Sequence, residues 1–173
     1  GFGMKVVANS PKKDELLAEQ LGFINLSLED LLRNSDIITL HCPYNASTHH
    51  LINKNNIGLI KKSAFLINTA RGGIVETEAL VSALENGAIQ GAGLDVLEGE
   101  TDMKDELELL SKKTASEEKL KTILYDHMLI RMSNVLITPH IAFNSKEALE
   151  RIVNITIENI NGFIRQKTIN LAV

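Results

Sequence analysis

The sequence predicts an α/β fold built on a doubly wound parallel sheet. Three observations lead there. Short apolar runs recur along the chain, they are nearly continuous rather than alternating, and amphipathic helical stretches separate them. The 173 residues are 44% hydrophobic, enough for one domain with a real core and too apolar for a disordered chain.

The first run, Lys5–Ala8, is followed by Pro11, where a helix is expected to begin with Asp14 and Glu15 favouring its first turn. A short extended piece is expected at Gly22-Phe23-Ile24. Ser27, three residues before Asp30, marks a second helix with a weaker form of the capping box. The runs Asp36–Leu40, Ala64–Ile67, Gln90–Leu94 and Asn134–Ile137 are the remaining strands, and continuous apolarity implies cover on both faces. Thr77 is expected to open the helix carrying Ala79 to Leu84, and Gly87 to end it. Ser145 precedes a long amphipathic stretch through Leu149, Ile152, Ile160 and Phe163. The charged segment from Glu98 to Lys121 breaks this rhythm. It holds helical patterns at Leu107, Leu109 and Leu110 and at Leu120, Ile123 and Leu124. It reads as a solvated insertion, or alternatively as a substrate-covering or dimer-contact element.

Composition narrows the function. A net charge of -4 argues against nucleic acid as the main partner. No apolar run approaches the roughly 18 residues that span a bilayer, so no membrane role is expected. The opening Gly1-Phe2-Gly3-Met4 has no basic leader, and a cytoplasmic compartment is expected. One cysteine, Cys42, excludes an intrachain disulfide and a cysteine zinc site. Cys42 reads as packing, His49 and His50 as a polar loop without metal, and His127 as surface or packing.

Ligands of parallel sheets bind beyond the carboxyl ends of the strands. The polar residues that follow the runs are Asn9 and Ser10, then His41-Cys42-Pro43, then Asn68-Thr69-Ala70-Arg71-Gly72-Gly73, then Asp95 to Glu100, then Thr138-Pro139-His140. A guanidinium can hold a carboxylate through two parallel hydrogen bonds. An imidazole beside a carboxylate can give or take a proton near neutral pH. That set suits redox chemistry on a hydroxy or keto acid, with the hydride belonging to a cofactor.

Three blocks carry a resemblance. Asn68-Thr69-Ala70-Arg71-Gly72-Gly73, Gly91-Ala92-Gly93-Leu94-Asp95-Val96-Leu97-Glu98-Gly99-Glu100 and Asn134-Val135-Leu136-Ile137-Thr138-Pro139-His140 occur in the order found in D-isomer-specific 2-hydroxyacid dehydrogenases. The chain resembles the C-terminal, NAD-binding part of that family, and Ala142-Phe143 leans toward its D-lactate branch. The resemblance implies a Rossmann-like fold, NAD as cofactor and a small 2-keto or 2-hydroxy acid as substrate. It implies Arg71 on the substrate carboxylate, His140 as acid/base and Glu100 as its partner. Asp95 is implied to take a hydrogen bond from the nicotinamide carboxamide, with Pro43, Thr69 and Ala70 lining the cofactor. A homodimer is implied as well.

The sequence departs from the family in two places. It has no G-x-G-x-x-G, so the fold is expected to lack the first strand and glycine-rich turn. Residues 1–142 are then an incomplete dinucleotide-binding domain. Residues 143–173 form a helix of the kind that returns to a substrate domain, which is itself absent. The Lys5–Ala8 strand would lose its neighbour toward Ala64, and the sheet would close by rearrangement or by pairing with another chain. The isolated chain is expected to show little turnover. Second, Ser10 stands where an acid binds the adenosine ribose, which leaves NADP open beside NAD. A non-catalytic, corepressor-like nucleotide-binding module is the rival reading, since it would keep the same Arg, Glu and His types.

Overall fold

The computed structural model describes residues 2–100 and 116–170. The chain divides into two compact units, Gly1–Pro139 and His140–Val173. The pattern expected around Leu107 lies outside the described residues.

Among its described residues the first unit holds six strands, all paired in parallel: β1 (Val7–Ala8), β2 (Ile24–Asn25), β3 (Ile37–Leu40), β4 (Phe65–Asn68), β5 (Gly91–Leu94) and β6 (Val135–Ile137). They form a two-stranded sheet, β1-β2, and a four-stranded sheet in the order β3-β4-β5-β6. Strands β3 and β6 are the edges of the four-stranded sheet. Among the described residues nothing pairs with the second edge of β1, and the run expected from Lys5 is a strand for two residues only.

Register explains the burial. Phe65 lies between Ile37 and Gly91, and Gly93 between Ile67 and Leu136, so these residues share one face. On it Ile37, Phe65 and Leu136 are exposed. The opposite face presents Ile38, Leu40, Leu66, Ala92 and Leu94, all buried in the main core. The apolar runs imply cover on both faces; among the described residues one face is buried, while Ile37, Phe65 and Leu136 leave the other exposed. The reason is the placement of the helices: α3 (Thr77–Glu85) and α4 (Glu117–Arg131) pack on each other, and α4 packs on β6. Within the charged segment Glu117, Glu118, Lys119 and Lys121 are exposed, and beyond it α4 buries Ile123, Asp126 and Leu129.

Helix starts follow local chemistry with two corrections. Helix α1 (Glu15–Leu21) begins after Asp14, whose carboxylate accepts from the Leu17 N–H at 2.9 Å, four residues beyond the expected Pro11. In α2 (Leu28–Asn34) Ser27 accepts from the Asp30 N–H, while its hydroxyl donates to the Asp30 carboxylate at 2.6 Å. Thr77 is the first residue of α3 rather than its cap, because a carboxylate from elsewhere does the capping, as described below. Gly87 ends α3 with φ 63°. In the second unit Ser145 caps α5 (Lys146–Ile164) by accepting from the Ala148 N–H. Ile152, Ile160 and Phe163 of α5 are exposed. Among the described residues no helix is long and apolar enough to cross a membrane.

Candidate active site

The turn after β4 is built by Asn68. Its side chain is buried, donates to the Arg71 carbonyl at 2.9 Å and accepts from the Ala70 N–H at 3.1 Å. A short side-chain amide thus replaces the backbone bonds that the strand can no longer make. Clamped this way, the turn presents Arg71 with an exposed side chain, whose Nη1 donates to the Ala70 carbonyl at 2.6 Å.

Arg71 and Thr69 and Ala70 from this turn, with His41, Cys42, Pro43 and Tyr44 from the loop after β3, line one hollow of ≈ 630 Å³ at the carboxyl ends of the two strands. Cys42 lines this hollow as well as packing on the core. The histidines of the polar loop have partners. His49 Nδ1 meets the Tyr44 hydroxyl at 2.9 Å and its ring stacks on His50 at 3.8 Å. No cluster able to hold a metal occurs among the described residues.

The turn after β5 carries three acids with separate surroundings. Asp95 is 4% exposed and accepts a short hydrogen bond from the Thr138 hydroxyl. Glu98 accepts from the Thr77 N–H at 3.1 Å and its hydroxyl at 2.7 Å, and meets His50 Nε2 at 2.5 Å. It is the missing cap of α3, where a negative charge offsets the exposed N–H groups. Glu100 follows two residues later, half-buried, its N–H donating to the Leu97 carbonyl at 3.4 Å.

The two turns touch through glycine. A Cβ on Gly72 would lie 2.2 Å from the Leu97 carbonyl group and 2.4 Å from the Glu98 nitrogen. Arg71 and the acid turn are therefore neighbours by backbone contact. Gly72→Ala is expected to destabilise the fold by about 3 kcal/mol, because backbone must move to admit the methyl. Urea unfolding checks this, and an unchanged midpoint would show that the turns separate freely.

Ser10 is exposed just beyond β1. His140 opens the second unit, exposed, in a left-handed backbone conformation with φ 58°. No role had been expected for Tyr44, His50, Asn68 or Asp126. Asn68 had a signal, a polar residue ending an apolar run; the other three had none.

A family model described as "D-isomer specific 2-hydroxyacid dehydrogenase, NAD binding domain" matches residues 1–142. The chain belongs to this family. It is 39% identical to 2-hydroxyacid dehydrogenase A of Aspergillus oryzae, over 97% of this chain and 46% of that protein. It is 42% identical to the D-specific alpha-keto acid dehydrogenase of Enterococcus faecium, over 96% of this chain and 48% of that protein. Among solved structures it resembles D-lactate dehydrogenase of Aquifex aeolicus complexed with NAD and lactic acid, with TM-score 0.79 and 41% identity. That match covers 95% of this chain and 47% of the other. The chain spans about half the length of the curated relatives it matches. The Rossmann-like parallel sheet is that of the family's NAD-binding domain.

Proposed function

We propose that the chain is the cofactor-binding half of an oxidoreductase that interconverts a 2-keto acid and a D-2-hydroxy acid. One observation carries the reading: Arg71 stands on a clamped turn, at the rim of a hollow at the strand ends, in backbone contact with the acid turn after β5. The hollow has the volume of a small-molecule or cofactor site, and its position is where nucleotides bind parallel sheets. Pro43, Thr69 and Ala70 would line the nicotinamide, and Asp95 would accept from its carboxamide. NAD supplies the hydride when bound. Arg71 grips the substrate carboxylate through two hydrogen bonds and orients the carbonyl. His140 hands a proton to the carbonyl oxygen, and Glu100 holds the imidazole. Two features support this division of labour: Glu98 is committed to Thr77 and His50, and His140 has the uncommon backbone conformation often found at working residues.

The test is NADH consumption by the full-length protein with simple 2-keto acids, with chiral analysis of the product. D-hydroxy acid alone is expected; L product or no turnover overturns the reading. The same reading includes a homodimer, a cytoplasmic location and a C-terminal segment, residues 143–173, that leads into a substrate domain. A monomer in sedimentation would remove the dimer.

Cofactor choice turns on Ser10. Neither Ser10 nor its flanking Asn9, Pro11, Lys12 and Lys13 carries a carboxylate, so a ribose phosphate meets no repulsion there. Ser10→Asp is expected to lower the preference for NADPH relative to NADH about tenfold, a 1.4 kcal/mol effect of one charge. Steady-state kinetics with the two cofactors checks it, and an unchanged ratio would place discrimination elsewhere.

A further inference from the structure

Asp126 is the buried acid that the proposed chemistry leaves unused. It sits in α4 with no accessible surface. Its Oδ2 accepts from the Gly99 N–H at 2.8 Å. Among the described residues its Oδ1 is buried and has no hydrogen-bond partner. Gly99 lies between Glu98 and Glu100, and it is so close to α4 that a Cβ there would be 2.8 Å from Asp126 Oδ2 and 3.5 Å from Thr122 Cγ2. The turn is therefore anchored at two successive residues, Glu98 by His50 and Thr77 and Gly99 by Asp126.

We propose that Asp126 is a positioning residue for Glu100: through the Gly99 N–H it sets the turn on which Glu100 is carried. The inference rests on the reading of Glu100 as the partner of His140. Burying a carboxyl is destabilising unless its oxygens are hydrogen-bonded, and the Gly99 N–H satisfies one of them. Burial, and next the Glu98 charge, favour the protonated form, against the Gly99 hydrogen bond and the His127 charge, which favour the carboxylate. A neutral acid keeps an acceptor oxygen for Gly99, so the anchor does not need the negative charge.

Full-length wild type, Asp126→Asn and Asp126→Ala separate this role from mere packing. The readouts are amide hydrogen exchange at Gly99 and the pH profile of kcat and KM for NADH-dependent reduction of pyruvate. Asp126→Ala is expected to speed Gly99 exchange at least tenfold relative to amides in β4. It should also lower kcat about tenfold with KM within twofold, and change the pH profile of kcat. Asp126→Asn, which retains the acceptor, should restore Gly99 protection and the profile. Unchanged Gly99 exchange in Asp126→Ala, or Asp126→Asn behaving like Asp126→Ala, overturns the proposal. If wild type reduces no 2-keto acid, the reading of Glu100 fails, and the exchange data still decide whether Asp126 sets the turn.

Discussion

Arg71→Ala is expected to lower kcat/KM for a 2-keto acid on the order of 10³-fold. A guanidinium gripping a carboxylate makes two charge-assisted hydrogen bonds, each contributing about 2 kcal/mol, and every 1.4 kcal/mol is tenfold. Arg71→Lys keeps the charge and loses the fork, so a loss of about 30-fold is expected, mostly in KM. The fold should be indifferent. The clamp uses the Arg71 carbonyl rather than its side chain, and the exposed guanidinium makes only a local bond to Ala70. Thermal stability should therefore change by less than about 0.5 kcal/mol. Steady-state kinetics beside calorimetry tests this. Full activity in Arg71→Ala would transfer carboxylate binding to another residue, whereas parallel losses of activity and stability would make Arg71 part of the scaffold.

The second large effect is on stability against pH, and its sign is opposite to that of most aspartates. Burial, the leading cause, pushes the Asp126 carboxyl up from 3.8 to about 7, and Glu98 adds to it. The folded chain then holds a proton through a range in which the unfolded chain has released it. Stability from this group is full below about pH 4 and falls as pH rises toward 7, after which it is level. Each pH unit within that window is worth up to 1.36 kcal/mol. Between pH 5 and pH 8 wild type should lose about 2–3 kcal/mol that Asp126→Asn does not lose. Urea unfolding of both proteins at those two pH values measures the difference. Identical slopes would show that the carboxyl ionises as readily in the folded chain as in the unfolded one.

Much of the local structure is legible in the residues themselves. Ser27 and Ser145 cap their helices as expected, because the bond closes within three residues and needs no distant partner. The apolar runs locate five strands to within three residues at their starts and one at their ends, since burial selects the same residue types that pleated backbone favours. Gly87 ends its helix for a local reason too, a backbone angle that side chains disfavour. The candidate Arg71 is legible for the same cause. The clamp that presents it spans only Asn68 to Arg71.

Long-range pairing is where the residues fall silent. Nothing near Thr77 announces that its helix is capped by Glu98, 21 positions away, or that His50 shares that carboxylate. Nothing in the sequence sets Asp126 apart until α4 packs on α3 and it is left without accessible surface. The apolar runs could not tell one covered face from two, because the pattern records which side chains avoid water but not which element will exclude it. By itself, then, the sequence determined the parallel α/β class, the places of the strands and the Ser27 and Ser145 caps. Only the tertiary structure decided which acids are structural, which face is covered and which glycine lets two turns meet. Those outcomes depend on contacts between segments far apart in the chain, whose free energy appears only when both are in place.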